Sequence, residues 1–221
     1  MPQSNDIFAT GQPTVQIDRL AGEIPVLLVD GIFADPLKVR ETALALPFEP
    51  AGAYYPGRKA RMPDGDPALT EFIKKIAGLV TCQYLPLLPR FPDGRRPERI
   101  KGIDTDFAIT DAHPSQLTKE QTRPHIDHVP VFGLIYLNEE DRGGTLFFRP
   151  RSQVAPPTGR EGYQTQSDEY VELCGKIEGR FNRLAIYPGF ILHSGEVKGD
   201  WIESDERLTA PRLTQRIMFF F

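Results

Sequence analysis

The sequence has little cysteine and no excess of basic residues. Its 221 residues include two cysteines and carry a formal net charge of −4. Cys82 and Cys174 are isolated in the sequence, so a zinc ribbon is excluded; they fit a reducing compartment, and one disulfide between them stays an alternative. With this net negative charge, the sequence indicates neither a basic face that would bind nucleic acid nor a polybasic segment that would bind anionic lipid.

Long apolar runs are also missing. The longest stretch, IPVLLVDGIF (24–33), is interrupted by Asp30 and is too short to span a bilayer. The first residues show no charged segment followed by an apolar run, so no signal peptide is expected. The sequence therefore predicts a cytoplasmic protein without nucleic-acid or membrane partners. It contains no signature of an oligomeric state.

The first hundred residues combine a strand with two helices. Residues 1–22 resemble a polar lead-in, and residues 24–33 are expected to form a buried strand. Residues 35–36 and 66–67 both read Asp-Pro, the pattern of a helix N-cap followed by proline in the first turn. After the second of these, apolar residues at helical spacing predict packing on a sheet. They are Leu69, Phe72, Ile73, Ile76 and Val80.

From residue 103 onward, short β-prone runs alternate with Gly, Pro, Asn and Asp. A longer insertion, 151–180, is expected to contain a helix near 167–176. We predict one α+β domain over 1–221, mainly β, with a sandwich or jelly roll at its centre. Residues 1–102 would supply helical and strand support, and residues 103–221 the core that holds the functional site.

The segment RPHIDHVP (123–130) holds two of the four histidines. On a strand, His125 and Asp127 project from one face and His128 from the other. His193 is the favoured third ligand for a metal, and His113 is the alternative. Two histidines and one carboxylate are typical of non-haem Fe(II) oxygenases, because this set leaves coordination positions open. An isolated His-x-Asp pattern is weak, and it also fits a solvated hydrogen bond on an exposed strand.

Four segments together strengthen the metal hypothesis. RPHIDH, GLIYLNEEDRGGTLFFR, NRLAIYPGFILHSGEV and PRLTQRIMFF resemble, in this order, the 2-oxoglutarate/Fe(II)-dependent dioxygenase superfamily, especially its prolyl-hydroxylase-like branch. The resemblance covers about residues 103–221, and the preceding part is similar to an uncharacterised bacterial group of that superfamily. It implies a double-stranded β-helix, or jelly roll, buttressed by N-terminal helices. It also implies Fe(II) bound by His125, Asp127 and His193, with 2-oxoglutarate and O₂ as cosubstrates.

The resemblance further implies a cation for the distal carboxylate of 2-oxoglutarate. Arg212 with Thr214 two residues later fits best, and Arg216 is the second choice, because an arginine fork pairs with a carboxylate through two hydrogen bonds. The segment between His193 and this strand is longer than the family pattern, so Lys198 and Arg207 are the third and fourth choices. Tyr136 is a candidate hydrogen-bond donor to the cosubstrate, or a core residue.

The activity that the resemblance implies is hydroxylation of an unidentified substrate, a small molecule or an amino-acid side chain, coupled to decarboxylation of 2-oxoglutarate. Three rivals remain open: a cupin-like metal enzyme that does not use 2-oxoglutarate, a non-catalytic metal-binding jelly roll, and a zinc hydrolase with the same ligands. The sequence has no HExxH motif, which weighs against the hydrolase. The insertions 151–180 and 198–210, the latter with Trp201, are long enough to form lids.

Overall fold

The computed structural model describes residues 7–52, 55–91, 93–141, 143–151, 164–165, 169–197 and 211–221. The described chain is mainly β, with few helices and two antiparallel sheets. The helices are α1 (Pro36–Leu44), α2 (Pro67–Leu79) and α3 (Lys119–Thr122). The strands are β1 (Thr14–Leu20), β2 (Ile24–Asp30), β3 (Glu49–Pro50), β4 (Arg58–Ala60), β5 (Gly102–Thr110), β6 (His125–Ile126), β7 (Val131–Tyr136), β8 (Thr145–Pro150), β9 (Gln164–Thr165), β10 (Val171–Ile177), β11 (Arg183–Pro188), β12 (His193–Gly195) and β13 (Arg212–Phe220).

The chain crosses repeatedly between the two sheets. The larger sheet has eight strands in the order β1-β2-β11-β7-β13-β5-β4-β3, and the smaller has five in the order β10-β8-β12-β6-β9. From β5 onward the path passes from one sheet to the other several times, so residues far apart in sequence become neighbours. The strands before residue 103 all join the larger sheet.

Each face of the larger sheet has its own apolar cluster, as strand alternation requires. On one face, Ile135 and Ile217 contribute to a cluster that also contains Phe72 and Ile76 of α2. On the other face, Tyr136 and its neighbours cluster with Phe147 and Ile177 of the smaller sheet. Helices α1 and α2 thus cover one face of the larger sheet, and the smaller sheet lies against the other.

Both predicted helix starts are confirmed. The Asp35 carboxylate accepts a hydrogen bond from the Lys38 backbone N–H (3.1 Å), and Asp66 accepts one from that of Leu69 (2.8 Å). These bonds satisfy N–H groups that have no partner inside the helix. The apolar stripe of α2 packs as predicted, with Phe72 1% and Ile76 2% exposed.

Two predictions about the secondary structure are wrong. The polar lead-in contains β1, which pairs with β2 along its whole length and was missed because its side chains are almost all exposed. The helix expected near 167–176 is replaced by β10 from Val171 onward. Its helix-compatible sequence VELCGKI is held extended by pairing with β8, which shows tertiary context overriding local propensity.

Other predictions concern the cysteines and the membrane. Cys82 and Cys174 are both free thiols, so the alternative disulfide is not formed. None of the helices described is both long and apolar enough to cross a bilayer. Lys198, Trp201 and Arg207, with the segment 198–210, lie outside the described residues, as does most of 152–168.

Candidate functional site

A cavity of about 530 Å³ lies between the two sheets. The smaller sheet contributes His125, Asp127 and His193 to its wall, and the larger sheet contributes Arg212 and Thr214. Its volume falls within the range of about 300–1,000 Å³ that is usual for small-molecule sites.

The structure brings His125, Asp127 and His193 together. One ligand atom from each residue lies within 4.8 Å of the other two, and Nε2 of His193 is 3.2 Å from Oδ2 of Asp127. His125 and His193 are direct cross-strand partners in β6 and β12, which explains the 4.7 Å between their ring centroids. Asp127 follows β6 directly, where its backbone N–H donates to the Gly189 carbonyl (2.9 Å).

The other two histidines lie apart from this group. His128 is exposed, as expected from its opposite projection. The alternative ligand, His113, forms a local contact with the Ser115 hydroxyl (2.6 Å). Neither residue is part of the metal-compatible group.

Backbone carbonyls orient both histidine rings of the group. Nδ1 of His193 lies 2.8 Å from the Ile191 carbonyl, and Nδ1 of His125 lies 3.4 Å from that of Arg123. A carbonyl accepts a hydrogen bond, so these contacts favour a proton on Nδ1 and leave Nε2 with its lone pair. Histidines that bind metals are commonly held in this way.

The surroundings also set the charge of the group. Burial, with a contribution from His193, lowers the pKa of His125 to about 4. Burial alone would raise the pKa of Asp127, but the adjacent His193 ring, with smaller contributions from His125 and Arg216, outweighs it and holds this pKa at about 2. At neutral pH His125 is thus a neutral imidazole and Asp127 a carboxylate, the forms that bind metal ions.

Arg212 and Arg216 both face the cavity from β13 but have different partners. Nε of Arg212 donates to the Gly143 carbonyl (2.7 Å), and among the described residues no carboxylate pairs with this guanidinium. Arg216 instead binds the Asp106 carboxylate through two hydrogen bonds, one of them from Nε to Oδ1 at 2.6 Å. Of these two arginines, Arg212 is the one without a carboxylate partner among the described residues.

Two hydroxyl groups at the cavity have no hydrogen-bond partner among the described residues. They belong to Thr214 on β13 and Tyr187 on β11, and both are buried. The hydroxyl of Tyr136 is engaged, because it shares a hydrogen bond with that of Thr145 (2.7 Å). Thr145 lines the cavity, so Tyr136 lies behind it.

The cavity-wall residues that sequence reasoning missed include Tyr55, Lys59 and Tyr187. Tyr187 belongs to the segment NRLAIYPGFILHSGEV. It stands two residues after Ala185, so the two side chains share one face of the strand, but this spacing alone does not indicate a site. Lys59 comes from the short strand β4, and its Nζ lies 4.8 Å from the centre of the Tyr55 ring. Both residues lie in YYPGRKA (54–60), which is part of the similarity to the bacterial group but indicates no role in a site. The pairing of β4 with β5 places them at the cavity.

Solved structures with a similar fold include a carbocyclase and an epimerase. The non-heme alpha ketoglutarate dependent carbocyclase SnoK from nogalamycin biosynthesis has a TM-score of 0.51 and 14% sequence identity, over 95% of this chain and 87% of its own. The non-heme alpha ketoglutarate dependent epimerase SnoN from the same biosynthesis has a TM-score of 0.50 and 16% identity, over 91% and 82%. At these identities the likeness shows a shared fold.

Comparisons of sequence give a family. No curated protein matches this chain. The pattern of one family matches residues 11–157 and 153–219, which include all three residues of the metal-compatible group. On this match, the chain belongs to the family described as "Family of unknown function (DUF6445)".

Proposed function

We propose that this protein is a non-haem Fe(II) oxygenase with a jelly-roll core, which couples decarboxylation of 2-oxoglutarate to hydroxylation of a small molecule. The observation that carries the proposal is the convergence of His125, Asp127 and His193 inside a cavity. The description of both similar structures as alpha ketoglutarate dependent enzymes supports it. The motif order seen in the sequence supports the prolyl-hydroxylase-like branch, and a single cytoplasmic domain is part of the same proposal.

The donor atoms fit iron. Two imidazole nitrogens and one carboxylate oxygen are the set that non-haem Fe(II) oxygenases use. Within the described residues, no fourth His, Cys, Asp or Glu joins the group. Three protein ligands would leave positions for a chelating cosubstrate and for O₂. With 2-oxoglutarate and O₂, bound Fe(II) would supply an oxidant strong enough to attack an unactivated C–H bond.

The cavity also has groups suited to the cosubstrate. Arg212 would bind the distal carboxylate of 2-oxoglutarate, because it is buried and, among the described residues, its guanidinium donates to one carbonyl and to no carboxylate. The unpartnered hydroxyls of Thr214 and Tyr187 would donate hydrogen bonds, which would remove the cost of burying them unsatisfied. Phe132 and Leu134 cover the apolar part of the wall and would exclude water.

The decisive experiment is anaerobic absorption spectroscopy of the protein with Fe(II) and 2-oxoglutarate. We expect a weak visible charge-transfer band of the chelate, which disappears in Asp127→Ala and weakens in Arg212→Gln. A band that survives Arg212→Gln and is lost in Arg216→Gln would indicate that Arg216 binds the distal carboxylate of 2-oxoglutarate. Stoichiometric metal binding without any band would overturn the proposal in favour of a cupin-like or non-catalytic barrel, and zinc alone in metal analysis would favour a hydrolase.

A further inference from the structure

We propose that Lys59 binds a carboxylate of the substrate, so that the protein acts on small organic acids. This inference rests on the proposed function, since it assigns Fe(II) and 2-oxoglutarate to the rest of the cavity. Three observations support it: the position of Lys59, the charges that remain unpaired around the cavity, and the surroundings of the lysine ammonium.

Lys59 lies in the cavity wall two strands away from Thr214, one of the residues proposed to bind 2-oxoglutarate. In the larger sheet, Ala108 pairs with Lys59 on one side and with Thr214 on the other. Neighbouring strands are about 4.8 Å apart, so the backbones of Lys59 and Thr214 are separated by about 10 Å. A ligand on Lys59 would therefore lie beside the cosubstrate and would not replace it.

No described carboxylate of the cavity wall forms an ion pair with Lys59. Among the described residues, Arg216 is bound by Asp106, and Glu196 by Lys176 (Oε2 to Nζ, 2.9 Å), which Glu196 shares with the exposed Glu178 outside the cavity. The charges of Fe(II) and 2-oxoglutarate would cancel each other, as would those of Asp127 and Arg212. One positive charge remains, on Lys59, and a single carboxylate balances it. A phosphate would carry more than one negative charge at neutral pH.

The surroundings of the ammonium group favour an anion. Burial and the neighbouring positive charge of Arg216 both lower the pKa of Lys59. The Tyr55 ring, which contacts the ammonium at 4.8 Å and the Arg216 guanidinium at 5.7 Å, holds the two cations on the same wall. A carboxylate placed between them would offset both the burial and the repulsion.

The test uses matched pairs of small ligands that differ in charge alone: acetate and acetamide, butyrate and butyramide, 3-phenylpropanoate and 3-phenylpropanamide. Each is titrated calorimetrically, without oxygen, into protein saturated with Fe(II) and 2-oxoglutarate. We expect a carboxylate to bind at least about tenfold more tightly than its amide in the wild type, because the ion pair is partly desolvated. Lys59→Met should abolish this preference and leave the binding of the amide unchanged, and Lys59→Arg should retain it.

The control is Lys75→Met, which removes an exposed lysine on α2 and should behave like the wild type. Melting temperatures would verify that Lys59→Met is folded. Equal binding of acid and amide, no binding of any acid, or a preference that survives Lys59→Met would each overturn the inference. The chelate band, recorded first on the same samples, separates the two proposals: with the band present, these results overturn only the role of Lys59. Absence of the band overturns the proposed function and this inference with it.

Discussion

The two sheets contribute to the cavity in different ways. The larger sheet contains most of the long strands, and β13 pairs with β5 over nine consecutive positions from Arg212 to Phe220. In the smaller sheet, β6 has two residues and β12 has three, yet these two strands hold His125 and His193. Arg212 and Arg216 thus lie on a long, continuously paired strand. His125 and His193 lie on the short strands β6 and β12, which pair with each other at one residue pair.

This difference indicates what stabilises each region. The framework of the larger sheet is stabilised by its own pairing, its two apolar clusters and the Arg216–Asp106 ion pair. The ligand group of the smaller sheet gathers imidazoles and a carboxylate in a partly buried place, an arrangement that a bound cation would stabilise. Substitutions of the groups that hold the larger sheet together should therefore change folding, and substitutions in the ligand group should change metal binding.

The largest effect is expected from Arg216→Gln. This change leaves the Asp106 carboxylate, 4% exposed, without its ion-pair partner, so we expect the free energy of unfolding to fall by about 3–5 kcal/mol. The matched variant Arg212→Gln loses one hydrogen bond to a carbonyl and should cost about 1 kcal/mol. Urea denaturation of both variants measures the difference. If the two variants lose the same free energy of unfolding, then Arg216 is no more important for folding than Arg212, and the proposed difference in their roles is wrong.

Asp127→Ala should change binding and not folding. Loss of a positioning group around a metal ligand commonly costs 10–100-fold in metal affinity, so loss of the ligand itself should cost at least about 100-fold, or about 2.7 kcal/mol. Anaerobic Fe(II) titration measures this affinity. His128→Ala, which removes the exposed neighbouring histidine, is the control. If both variants weaken the metal equally, the ligand group is misassigned.

Tyr187→Phe and Tyr136→Phe should have opposite effects on stability. The first removes a buried hydroxyl that has no partner within the described part of the chain, so the metal-free protein should become more stable by up to about 1 kcal/mol while 2-oxoglutarate binds more weakly. The second removes the hydroxyl that contacts Thr145 and should cost about 1 kcal/mol. Thermal unfolding and the intensity of the chelate band provide the two measurements. Destabilisation by both variants would mean that Tyr187 has a partner in the folded protein.

The smallest effect is expected for Asp30→Asn, in the larger sheet. The hydrogen bond from Arg183 lowers the pKa of Asp30 below 3.8 in the folded state, although burial opposes it. The stabilisation is therefore complete above pH 3.8 and is lost as the pH falls through the lower folded pKa. The melting temperature of Asp30→Asn should be slightly below that of the wild type at neutral pH, and the gap should close in acid. The effect is small because Asp30 is 43% exposed. A gap that stays constant down to acid pH would assign the effect to packing.

The sequence predicts those features that local chemistry determines. The Asp-Pro helix starts depend on neighbouring residues alone, and the spacing of His125 and Asp127 needs only strand alternation. Strand β10 could not be predicted, because its sequence tolerates a helix and only pairing with β8 makes it extended. Lys59 was missed for a similar reason, since the order of strands in the sheet, and no local pattern, brings β4 to the cavity. The roles of Arg212, Thr214, Arg216 and Tyr136 stay predictions for the experiments above.

The direct pairing of His125 with His193 has a consequence for measurement. A metal bound by both rings would be a removable cross-link between two strands that are distant in the sequence. At a free metal concentration 100 times the dissociation constant, its binding would add about 2.7 kcal/mol to the stability of the folded state. A simple melting curve, taken with and without a chelator, would then report how much of a purified sample carries its metal, before any substrate is known.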